Sequence, residues 1–150
     1  MAGKTFPAAL SEQDAVCGDY LEYVSQKRSW FAAAERALRD MREIKHNWNG
    51  YGSEAPNACA LQNAEDVLDV LADEDFDLAP TNVVPSADNG VGISFRNGER
   101  YALIECYNTG EIAAVVSNGP GHADSWDVAP AELRQTIERF HDHLRGTHSA

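Results

Sequence analysis

No base stands in the middle third of this chain. Residues 46–95 hold nine carboxylates (Glu54, Glu65, Asp66, Asp69, Asp73, Glu74, Asp75, Asp77 and Asp88) and not one Lys or Arg. The 150 residues balance 24 acids against 12 bases, a net charge of −12, so three quarters of the excess lies in that stretch. This excludes tight general binding to nucleic acid, whose phosphates need cationic side chains opposite them, and it disfavours an anionic membrane surface. Long apolar runs are also missing. The longest, at 30–34 and 112–116, fall far short of the roughly 20 residues of a membrane span. Residues 1–10 carry one Lys and no apolar core, unlike a secretory signal. Cysteine is scarce: Cys17, Cys59 and Cys106 are far apart and none is in a C-x-x-C pair. That argues against a disulfide framework and a structural zinc site, and leaves reduced, buried thiols in a cytoplasmic protein as the expectation.

Catalytic motifs are absent too. There is no G-x-x-x-x-G-K-[ST] loop, no G-x-S-x-G elbow and no H-E-x-x-H pair. Gly119-Pro120-Gly121-His122 is Gly-rich and nothing more. His141 and His143 stand at i, i+2, which places them on different faces of a helix, unlike a helical metal pair. The acidic run lacks the ligand spacing of a calcium loop. Cys106 and His122 would make a nucleophile pair only if Cys106 left the strand that its neighbours predict. No catalytic residue, metal or cofactor is therefore expected.

What is present is a readable order of elements in a single α+β domain over 1–150, with 1–10 and 147–150 expected to be frayed. Ser11, followed by Glu12 and Asp14, starts a helix that the spacing of Tyr20, Val24, Phe31, Leu38, Met41 and Ile44 carries to about residue 46, unbroken or jointed near 26–29. A Gly/Asn loop follows at 47–56. Asn57 caps a second helix over 58–72, with Leu61, Ala64, Val67, Leu68 and Leu71 inward. The period then changes to two. Strands are predicted at 81–84, ended by Pro85, at 91–95, at 100–107 and at 111–117, with Asn97-Gly98 and Thr109-Gly110 as turns. This makes a three- to four-stranded antiparallel meander. Pro130 opens a C-terminal helix with Leu133, Ile137, Phe140 and Leu144 on its apolar face, stopped by Gly146.

With the second helix's apolar face inward, Glu65, Asp66, Asp69 and Asp73 project outward or along its border. Glu74, Asp75 and Asp77 follow directly. Such a cluster is ordinarily a solvated face; as a binding surface it would suit a basic partner and speed encounter with it. On the first helix, Arg36, Arg39, Arg42 and Lys45 alternate with Glu35, Asp40 and Glu43, the pattern of i, i+4 pairing rather than a binding stripe. In the loop, Trp48 and Tyr51 sit between Gly and Asn, either folding back over the helix junction or serving as contact residues.

The run Trp48-Asn49-Gly50-Tyr51-Gly52-Ser53-Glu54-Ala55-Pro56, followed by a helix and the meander, resembles a group of small bacterial and phage-associated proteins with the pattern W-[DN]-G-x-G-[AS]-x-x-P. The resemblance covers about residues 40–118 and implies no activity; Asn49 stands where Asp is commoner. Together these features predict a non-enzymatic acidic protein that neutralises a basic, nucleic-acid-handling partner, in the manner of an anti-CRISPR or other anti-defence protein or an antitoxin. Glu65, Asp66, Asp69, Asp73, Glu74, Asp75 and Asp77 would make the electrostatic contact, and Trp48 and Tyr51 the apolar one. The alternatives are a self-associating accessory subunit, a homodimer through a sheet edge or the long helix, and a small enzyme with a pocket lined by Cys106, His122 and Tyr101.

Overall fold

In the computed structural model the described residues are 29–73, 76–119 and 121–146. The expectations for 1–10, for the start of the first helix and for 147–150 lie outside them, as do Glu74 and Asp75. Helix α1 is described over 29–41, α2 spans Ala58–Asp73 and α3 spans Leu133–Arg145. Five antiparallel strands form one sheet in chain order: β1 (Asn82–Ser86), β2 (Gly90–Asn97), β3 (Arg100–Tyr107), β4 (Ile112–Ser117) and β5 (Ala123–Asp127). The class is α+β, with two more strands than a three-stranded meander and one more than four.

Strand alternation decides which face is core. Val91, Ile93 and Phe95 of β2, Ala102, Ile104 and Cys106 of β3, and Ile112, Ala114 and Val116 of β4 are all buried. They form one cluster with Ala34, Leu38 and Met41 of α1, Ala64, Val67, Leu68 and Leu71 of α2, and Ile137, Phe140 and Leu144 of α3. The helices thus pack on one side of the sheet. Phe140 is fully buried and meets Phe95 edge-on at 5.6 Å and Trp126 at 6.2 Å, tying α3 to both β2 and β5.

Local chemistry explains the differences from expectation. Helix α1 ends at residue 41, short of 46: Arg42, Glu43 and Ile44 donate to carbonyls three residues back, and Asn47 turns left-handed at φ 64°. Strand β1 runs through Pro85 because it is an edge strand, where a missing N–H can face away from the ladder. The β2–β3 loop is Gly98-Glu99, one residue later than expected, since Asn97 pairs with Arg100 and Gly98 takes φ +65°. Pro130 opens a 3₁₀ turn over Pro130–Glu132, not the α-helix, which begins at Leu133. The second helix matches closely: Asn57 Oδ1 accepts the Ala60 N–H at 2.9 Å as its cap. No helix among the described residues is long and apolar enough to cross a membrane.

Candidate functional site

Helix α2 buries Ala60, Leu61, Ala64, Val67, Leu68 and Leu71. At 100° per residue, its opposite side aligns Gln62, Asp66, Asp69 and Asp73 in one exposed stripe. Gln62 Nε2 donates to Asp66 Oδ1 at 3.1 Å. Partial burial comes first among the causes that hold the Asp69 carboxyl above its ordinary range; the charges of Asp73, Asp66 and Glu65 add to it. The native state therefore keeps this proton more tightly than the unfolded chain does. Stability from this group is fully present below the ordinary carboxylate range and is lost as pH rises through the raised value.

The seven predicted carboxylates divide. Asp66, Asp69 and Asp73 remain together. Glu65 meets Arg42 of the α1 end at 3.5 Å, and Asp77, beyond α2, meets Arg145 of α3 at 3.4 Å. The first pair links α2 to the end of α1 and the second links the segment after α2 to α3, and both partly offset the charge of these exposed acids.

The 47–53 loop is stitched internally and to the sheet. Asn47 Oδ1 accepts from Gly52 N–H at 2.6 Å, and Asn49 Oδ1 from Tyr51 N–H at 2.9 Å. Ser53 Oγ donates to Ala87 O at 2.7 Å, and Glu54 N–H to Asn89 Oδ1 at 2.8 Å. Gly50 and Gly52, at φ +79° and +87°, permit the reversal. The two aromatics part company. Trp48 turns inward, its indole N–H enclosed without an acceptor among the described residues, whereas Tyr51 is 91% exposed at the tip. The loop precedes α2, so Tyr51 and Asp73 sit at opposite ends of a helix of roughly 24 Å.

A further acidic feature emerges only in three dimensions. Glu54, Asp88 and Glu111 line an open groove of about 480 Å³ with Asn57, Asn89, Tyr107, Asn108 and Thr109. Asn108 holds it in shape: its Oδ1 accepts from Asn57 N–H, its Nδ2 donates to Ala55 O, and its backbone N–H donates to Asn89 O. On the adjoining sheet surface, Glu105 accepts from Ser86 Oγ at 2.6 Å and Tyr107 Oη at 2.9 Å. Burial first, then that hydrogen bond and the charges of Glu105, Asp88 and Asp127, push the Tyr107 phenol up to about 12. Glu54 and Asp88 belong to the base-free stretch, but only the turns between strands bring them to Glu111.

No protein-family model, curated protein or solved structure matches the chain. The reading of its surfaces rests on the side chains alone.

The residues of the enzyme alternative do not converge. Cys106 is fully buried on the core face opposite Ile112, and Tyr101 lies on the other face opposite Ser117. Exposed His122 precedes β5 at the Ser117 end, about 17 Å along β4 from Cys106. His143 is buried, with Nε2 2.8 Å from Ser117 O, while His141 stands beside Asp142 and Phe76. Burial, then the charges of Asp66 and Glu105, push the Cys106 thiol from 9.0 up to about 12. Iodoacetamide at neutral pH should therefore label exposed Cys59 in the native protein and leave Cys106 untouched until denaturant is added. Peptide mapping by mass spectrometry checks this; native labelling of Cys106 would show that β3 opens readily.

Proposed function

We propose that the chain is a non-enzymatic binding protein that neutralises a basic, nucleic-acid-handling partner by occupying the cationic surface which that partner offers to phosphates. An anti-defence protein, including the anti-CRISPR kind, or an antitoxin acts in this way. The observation that carries the reading is the Asp66–Asp69–Asp73 stripe. Like charges at i, i+3 and i+4 destabilise a helix by a few tenths of a kcal/mol per pair. Here they stand together with no cation against Asp69 or Asp73 among the described residues, although Arg42 pairs with the adjacent Glu65. A cationic partner would relieve that repulsion. Exposed Tyr51 supplies a separate apolar anchor in the loop before the helix, at the opposite end from Asp73.

The test is capture from a bacterial lysate on immobilised protein, at low and high salt. The wild type should retain a basic protein that raised salt releases. Replacing Asp66, Asp69 and Asp73 together by Asn should cut its retention about tenfold or more, and Tyr51→Ala should weaken it at every salt concentration. The triple variant should also be more stable to urea at neutral pH than the wild type, which separates lost binding from lost fold. Unchanged capture by the folded triple variant removes the proposal.

A further inference from the structure

The second face of the sheet is covered by no helix among the described residues. Its side chains form four rows across the strands, following the register. One end row holds Arg96, Tyr101, Ser117 and Ala123. The next holds Asn82, Ser94, Leu103, Val115 and Ser125, and the third Val84, Gly92, Glu105, Ala113 and Asp127. Ser86, Gly90 and Tyr107 close the other end. The two middle rows are mixed: Val84, Leu103, Val115 and Ala113 stand among Asn82, Ser94, Ser125, Gly92, Glu105 and Asp127, with Glu105 on the central strand. A side chain at Gly92 would meet Leu103 Cδ1 at 3.6 Å, and Val84 is 47% exposed. The charges lie apart: Arg96, stacked 4.8 Å from the Tyr101 ring centroid, marks one end, while Glu105 and Asp127 lie toward the other, with Asp88 in the turn beyond. Neither Arg96 nor Glu105 has an ion-pair partner among the described residues.

We infer that this face is a two-fold interface between two copies of the chain, stacked with their strands antiparallel. The charge placement selects this geometry. A two-fold axis along β3 would keep each row at its own end and carry Arg96 over Ser117, about 14 Å in the sheet plane from Glu105 of the other copy. An axis across the strands exchanges the ends, bringing Arg96 of each copy within about 8 Å, in the sheet plane, of Glu105 of the other, with Val115 over Ala113 and Leu103 over the stem of Glu105. Five strands about 4.8 Å apart and four rows about 6.8 Å apart make a footprint of roughly 500 Å² per copy. The total of about 1,000 Å² lies below the standard range of specific interfaces, so a reversible dimer in exchange with monomer is expected. Two copies of charge −12 repel at long range. Salt therefore strengthens this association, opposite in sign to its effect on capture of a basic partner.

The experiment is sedimentation velocity of the full chain from low micromolar to ~200 µM, at ~0.05 and ~0.5 M salt. A reversible dimer that tightens with salt is expected. Val115→Lys, which changes only the open face, should make it monomeric with an unchanged circular dichroism spectrum. Arg96→Glu and Glu105→Lys should each weaken self-association about tenfold or more, and an equimolar mixture of the two variants should restore a dimer, because only the mixed pair faces opposite charges at both ends. Monomer at all concentrations, a dimer indifferent to Val115→Lys, or a mixture of folded variants that stays monomeric overturns the inference. None of these outcomes depends on the basic partner, so this interface and the acidic stripe stand or fall separately.

Discussion

Phe140→Ala will cost about 3–5 kcal/mol, enough to bring a domain of this size close to unfolding at room temperature. The magnitude follows from position. Phe140 is fully buried, edge-on to Phe95 at 5.6 Å and to Trp126 at 6.2 Å, where α3 crosses the sheet. Truncation loses its transfer free energy and leaves a void bounded by two rings held from the sheet side, so collapse cannot close it cheaply. Aromatic pairs contribute a further 0.5–1.5 kcal/mol each beyond area, and both would go. Trp126 would also lose its inner neighbour, while Arg139, 3.8 Å from its ring centroid and paired with Asp124, holds only the outer side. Strand β5 should therefore loosen first. Urea denaturation followed by tryptophan fluorescence reads the total, and hydrogen exchange at Val128, whose N–H donates to Ile112 O at 2.9 Å, reads the strand. A loss under 1 kcal/mol would mean that α3 does not hold the sheet as these contacts require.

Strand β5 is also what sequence reasoning missed, for the same reason. Its residues Ala-Asp-Ser-Trp-Asp include two acids and no β-branched side chain, so local preference speaks against a strand. What makes it one is long-range: the β4 ladder beside it, Phe140 under Trp126, and Arg139 drawn to Asp124. Where local and tertiary preference agree, the elements were legible. Helix α2 carries a cap, a periodic apolar face and no breaker, and β3 alternates without interruption, so both lie where their patterns put them. The β2–β3 loop was legible in kind but not in register, because Asn97 takes a pairing place and Gly98 alone supplies the left-handed turn.

The acidic surface divides along the same line. The Asp66–Asp69–Asp73 stripe is periodic within one helix and could be read from spacing. The pairs that partly offset Glu65 and Asp77 come from α1 and α3, and nothing local to those acids announces Arg42 or Arg145. In the same way, the groove of Glu54, Asp88 and Glu111 is assembled from three turns. Periodicity reports what shares a face of one element; opposing charge from another element depends on packing.

Gly90→Ala should cost at least about 3 kcal/mol, although alanine is a mild change and Gly90 does not adopt a positive φ. A methyl group there would overlap Cys106 O and lie 2.8 Å from Tyr107 Cα, both backbone atoms of β3 that no rotamer change can move aside. The informative control is Gly98→Ala. That position has φ +65° with nothing within 4 Å of the added carbon, so it is strained but uncrowded and should cost only about 1–2 kcal/mol. The ranking separates steric exclusion from backbone strain, and urea midpoints with an unchanged m-value measure it. The consequence for binding follows from the next residue. Asn89 receives the Glu54 N–H on its side chain and the Asn108 N–H on its carbonyl, so β2 displaced from β3 at Gly90 also displaces the groove and the loop bearing Tyr51. In Gly90→Ala, protection of the Glu54 and Asn108 amides should disappear while that of the α2 amides persists. Equal loss throughout would mean that this end of the sheet and the helical layer unfold as one unit.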